Sequence, residues 1–205
     1  MKSLLYGGFF FNLDPNSHRM HKNPWKILSS SPVYENNWIN LTEYSVVNPG
    51  GGQGIYGKVH FKNRAVGIVP IDEEGNIYLV GQFRFALDAF SWEIPEGGAP
   101  FHEDLLDSAK RELKEETGIE ARNWKKLLDI HLSNSVSDEI GHVYMATGLS
   151  YTGAEPEETE EIHVKKLPFD EAYQMVIDGE ITDSMSIAGI LRTKLLLLEK
   201  NNLIF

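Results

Sequence analysis

The stretch Gly97 to Ile119, GGAPFHEDLLDSAKRELKEETGI, decides the reading of this chain. Leu105, Leu106, Ala109 and Leu113 recur at the helical period and predict a helix over 103–117 with one apolar side. Lys110, Lys114 and Asp107 fall on the opposite, solvated side. Gly118 follows the last periodic residue, where a left-handed C-cap is expected. Glu112 and Glu116 project beside the apolar stripe, and Glu115 follows one step round. Each placement is unfavourable by itself. Like charges at i and i+4 repel, carboxylates in the last turns meet the negative end of the helix macrodipole, and partly buried anions need a counter-charge. A divalent cation with oxygen ligands, Mg²⁺ or Mn²⁺, answers all three costs together. Arg111, four residues before Glu115, is spaced to hold that carboxylate in orientation. The plain alternative is a charged surface helix, which an isolated pair of glutamates would suggest. Here the acids lie beside the apolar stripe, and a helix-ending glycine follows at once.

The rest of the chain is that of one ordinary domain with a short extension: 205 residues, of which 41% are hydrophobic. A net charge of −11 with no basic cluster argues against binding along a nucleic-acid backbone. The absence of cysteine removes disulfides, thiolate nucleophiles and zinc–cysteine sites, and fits a cytoplasmic location. No apolar run reaches membrane-spanning length, so no membrane partner is expected. Residues 1–24 read as an N-terminal extension, accessory to the fold or poorly ordered, and make a poor signal peptide.

Alternating apolar residues predict short strands at Lys26–Ser31, Val33–Tyr34 and Trp38–Val47, closed by the turn residues Asn48 to Gly52. These form a small N-terminal β element over 25–52, followed by the main domain over 53–205. Further strands are expected at Ala65–Ile71 and Ile77–Val80 around an acidic turn, and at Phe83–Phe85 and Ser91–Ile94. Beyond the 103–117 helix come strands at Trp124–Leu132, His142–Leu149 and His163–Leu167. The last third turns helical at 168–178 and 184–198. The fold class is therefore mixed α/β.

The spacing of Gly97, Glu103, Arg111-Glu112-Leu113, Glu115-Glu116 and Gly118-Ile119 resembles the Nudix box at every position. Outside it, Trp92-Glu93-Ile94-Pro95-Glu96-Gly97-Gly98, Ser137-Asp138-Glu139 and Asp183-Ser184-Met185-Ser186-Ile187-Ala188-Gly189 resemble the ADP-ribose and nucleoside-diphosphate-sugar pyrophosphatases of that family. The resemblance implies an α/β/α sandwich with a mixed sheet. It also implies metal-dependent hydrolysis of a pyrophosphate linkage to a nucleoside monophosphate and a sugar phosphate. Glu112 and Glu116 would then be metal ligands, joined by the backbone carbonyl of Glu96. Glu139 matches a general base carried on a loop, with Glu115 as the competing base. Arg84 matches an arginine that contacts substrate phosphate, and Arg64 is a lesser phosphate candidate with a structural alternative. A homodimer that shares its N-terminal β element is implied as well. One departure bears on substrate: Ser133-Asn134-Ser135 stands where ADP-ribose specialists commonly have Ser-Pro-Gly, which favours a broader range of sugar nucleotides such as GDP-mannose. Two alternatives stay open, a nucleoside triphosphate pyrophosphatase and a non-catalytic nucleotide-sugar sensor.

Overall fold

Two sheets of different character form along the chain, as seen in a computed structural model that describes residues 22–153 and 161–200. The expectation for the first 21 residues lies outside the described part. Strands β1 (Lys26–Glu35), β2 (Ile39–Val47) and β3 (Gln53–Phe61) make a three-stranded antiparallel sheet in the order β1-β2-β3. Asn48 closes the β2–β3 hairpin: its amide donates to the Gly52 carbonyl at 2.8 Å, and Gly51 takes a φ of 88°, which suits glycine. This turn lies inside the sheet, so the N-terminal sheet continues to Phe61 and its third strand falls beyond the 25–52 segment.

The main sheet has seven strands. These are β4 (Asn63–Ile71), β5 (Asn76–Arg84), β6 (Ala89–Glu93), β7 (Glu96–Pro100), β8 (Ile119–His131), β9 (Ile140–Tyr151) and β10 (His163–Pro168). The central path runs β10-β5-β4-β9-β8, with β6 on β5 and β7 on β4. The β4–β9 pair is parallel and the other pairs are antiparallel, so the sheet is mixed. Strand alternation on β4 sorts the core into two layers. Val66 and Ile68 pack with Ala109 and Leu113 of helix α1 (Leu105–Thr117) on one face. Val69 and Ile71 pack on the other with Ala172, Met175 and Ile190 of α2 (Phe169–Ile177) and α3 (Ser184–Lys200). Helices thus cover both faces of a mixed sheet, the expected α/β/α sandwich. Among the described residues no helix is long and apolar enough to cross a membrane.

Helix α1 starts two residues later than its period suggests because Asp104 acts as its N-cap, its carboxylate accepting from the Leu106 amide at 2.8 Å. It ends at Gly118, whose φ of 70° and amide bond to the Lys114 carbonyl make the anticipated left-handed cap. Strand β8 begins at once, five residues before Trp124. Phe85, expected to extend a strand, sits instead in the β5–β6 turn and is 96% exposed.

Candidate functional site

The end of α1 packs against β7, and this contact brings the patterned acids together. Glu116 is only 4% exposed, and its Oε2 accepts the Glu96 amide at 2.9 Å. Gly97 leaves no room for a side chain, since a Cβ there would lie 2.2 Å from the Glu112 carboxyl carbon. Arg111 gathers the remaining acids. Its Nη1 donates to Glu112 Oε1 and to Glu115 Oε2, each at 2.8 Å, while Nη2 donates to the Gly98 carbonyl at 2.8 Å and lies 3.6 Å from Glu103 Oε2. The guanidinium therefore holds Glu115, as the spacing suggests, and Glu112 as well.

Beside this cluster opens a cavity of about 610 Å³, lined by Arg84, Glu93, Glu96, Glu139 and Asp183 together with the backbone of Gly97 and Gly98. Arg84 crosses the β5–β6 hairpin to reach two acids. Its Nε donates to both oxygens of Glu93 at 3.0 and 3.1 Å, and its Nη2 pairs with Glu93 Oε2 and, at 2.9 Å, with Glu96 Oε1. The other oxygen of Glu96, Oε2, is buried without a hydrogen-bond partner. Burial pushes the Glu96 carboxyl well above the usual range, Asp183 and Glu93 add to that, and Arg84 offsets only part of it. Glu139 is half-buried, and its pKa is raised first by burial and then by the charge of Asp183. Arg64 lines the same cavity. Its Nη2 donates to the carbonyls of Pro100 and Glu103 at 2.8 and 2.7 Å, so part of its guanidinium fastens the turn that leads into α1.

Of the residues singled out by sequence, Arg64, Arg84, Glu96 and Glu139 share this cavity, and Arg111, Glu112, Glu115 and Glu116 stand next to it on α1. Two acids were missed. Glu93 is 2% exposed and anchors Arg84, and the alternation of β6, which turns Ser91 and Glu93 inward, marks it as a charge at a core position. Asp183 caps α3 by accepting the Ser186 amide at 2.7 Å while it faces the cavity. Its cap-like spacing to Ser186 was legible, but its approach to Glu96 and Glu139 arises only from tertiary packing.

The donor set suits a hard divalent cation, because oxygens alone are present and one buried carboxylate oxygen lacks a partner. Among the described residues no group of three or more His, Asp or Glu side chains already stands in metal-holding geometry. Glu112 is drawn instead to Arg111, and Glu116 to the Glu96 amide.

Comparison with known proteins agrees with this arrangement. Residues 61–185 match the NUDIX domain, and residues 25–59 match the nucleoside diphosphate sugar hydrolase N-terminal domain. An ADP-ribose pyrophosphatase of Mycobacterium tuberculosis is 36% identical over 180 residues, covering 84% of each chain. A GDP-mannose pyrophosphatase of Yersinia enterocolitica is 28% identical over 171 residues, covering 77% of this chain and 88% of the relative. A solved structure of an ADP compounds hydrolase shares the fold with a TM-score of 0.77 at 18% identity, covering 88% of this chain and 97% of the other. The chain belongs to the Nudix family, with the N-terminal domain of the nucleoside diphosphate sugar hydrolases preceding its NUDIX domain.

Proposed function

We propose that this protein is a divalent-metal-dependent hydrolase of nucleoside diphosphate sugars, cleaving the pyrophosphate linkage to a nucleoside monophosphate and a sugar phosphate. The observation that carries the reading is the meeting of Arg84, Glu96 and Glu139 around one cavity, with a buried, unpartnered Glu96 oxygen, beside the helix that carries the box acids. Glu112, Glu116 and Glu96 would hold Mg²⁺ or Mn²⁺. When bound, the ion supplies positive charge for the pyrophosphate oxygens and acidifies water. Arg84 would bind a phosphate oxygen through Nη1, the nitrogen not engaged by Glu93 or Glu96. Glu139 would take the proton of the attacking water, and its raised pKa brings its basicity nearer to working pH. Glu115, tied to Arg111, is the less available base. Gly97, having no side chain, leaves room for the Glu112 carboxylate beside the cavity.

ADP-ribose and GDP-mannose are the first substrates to try, since relatives are named for them. The reading includes a homodimer built through the N-terminal sheet, supported by the exposed apolar side chains Ile27, Val33, Trp38 and Ile55 there. A cytoplasmic setting is supported by the lack of cysteine. The test is incubation with Mg²⁺ or Mn²⁺ and a panel of sugar nucleotides. Nucleoside monophosphate should appear with at least one of them, and no release from any would sink the proposal.

A further inference from the structure

Strand β3 has side chains of period two, so Tyr56, Lys58 and His60 project from one face. All three reach the segment 133–139 that leads to Glu139. The Tyr56 hydroxyl donates to the Ser135 carbonyl. Lys58 Nζ lies 2.7 Å from Asp138 Oδ2, and His60 Nδ1 lies 2.8 Å from the same oxygen. The Phe61 amide donates to Asp138 Oδ1 at 3.1 Å, so both carboxylate oxygens of Asp138 are engaged by β3. Backbone contacts run alongside: the Val59 amide donates to the Val136 carbonyl at 2.8 Å, and the Asp138 amide to the Val59 carbonyl at 3.2 Å. Burial would raise the Asp138 pKa, but Lys58, His60 and the Phe61 amide outweigh it and hold the group at about 2. It is ionised throughout the working range. The run Ser133-Asn134-Ser135-Val136-Ser137 contains no proline, so local stiffness must come from elsewhere.

We propose that Asp138 is a positioning residue: fastened by Lys58, His60 and the Phe61 amide, it ties the loop to β3 and holds the adjacent Glu139 at the cavity. The proposal rests on the reading of Glu139 as the base. It gives the N-terminal sheet a second task, that of fixing the loop beside the reacting group. Lys58 and Asp138 are 42% and 33% exposed, so solvent screens their attraction and the tether adds little to global stability. Its effect should be felt in geometry, where a small misplacement of a reacting group is costly.

Asp138→Ala should lower kcat about 10- to 100-fold while KM stays within about 3-fold, the pattern expected when a reacting group is misplaced rather than substrate binding lost. In a Glu139→Gln background the same change should lower kcat by less than about 2-fold more, because the two residues act as a unit. Amide hydrogen exchange over 135–139, measured without substrate, should quicken in Asp138→Ala and in the closer mimic Asp138→Asn, which guards against a folding defect. An unchanged kcat, a full further loss in the Glu139→Gln background, or unchanged exchange would each overturn the proposal. If the wild-type protein hydrolyses no sugar nucleotide, the functional reading fails, while the exchange measurement still decides the tether.

Discussion

At the scale of single residues, acids held in unfavourable surroundings mark the site. Glu139→Gln should reduce kcat about 10²- to 10⁴-fold, the range for removing a general base, with little change in KM. Because the Glu139 pKa is raised, the wild-type kcat/KM should fall with decreasing pH through an acid limb above the ordinary glutamate value of about 4.3. That limb should vanish in the variant. Its persistence with undiminished turnover would transfer the role to Glu115. Gly97→Ala places a methyl against the Glu112 carboxylate. It should weaken Mn²⁺ binding about 10- to 100-fold, the usual cost of displacing a supporting group, as measured by calorimetry. Unaltered affinity would remove Glu112 from the ligand set. The α1 acids were legible because their spacing on a 3.6-residue helix fixes which side they share. Glu93 and Asp183 were legible only as a core-facing charge and a helix cap, because their approach to Arg84, Glu96 and Glu139 arises by folding alone.

Elements built from local periodicity were readable, and those that depend on a neighbour were not. Helix α1 announced itself through its stripe and the glycine that ends it, while its N-cap Asp104 came from the structure. Strand β7, Glu96–Pro100, consists of residues that ordinarily signal a turn, yet pairing with Asn63 to Gly67 of β4 makes it a strand and sets Gly97 against Glu112. Strand β3 was overlooked for a related reason: Gly54 and Gly57 interrupt its pattern, and its pairing with β2 supplies the order they lack. The link between the β6–β7 connection and α3 is equally invisible in sequence. The Ile94 amide donates to the Ser186 hydroxyl at 2.9 Å, and both residues are fully buried. Ser186→Ala should leave that amide unsatisfied and cost about 1–3 kcal/mol. Thermal unfolding should register this as a fall of several degrees, and an unchanged melting temperature would show that the bond is dispensable.

For the whole molecule, the N-terminal sheet exposes Ile27, Val33, Trp38 and Ile55 and also fastens the loop before Glu139. An exposed apolar surface joined to a functional loop suits an assembly in which pairing of copies bears on activity. Sedimentation at micromolar concentration should give a dimer, and Ile55→Glu should shift it toward monomer; a wild-type monomer would contradict the proposed assembly. The central claim, metal-assisted hydrolysis of the pyrophosphate linkage of a sugar nucleotide, is tested most directly by product analysis in ¹⁸O-labelled water with ADP-ribose and GDP-mannose. With Mg²⁺ or Mn²⁺ present, a nucleoside monophosphate and a sugar phosphate should form, one of them bearing the label, and a chelator should abolish both. Release of inorganic pyrophosphate from nucleoside triphosphates, with both sugar nucleotides untouched, would contradict the account.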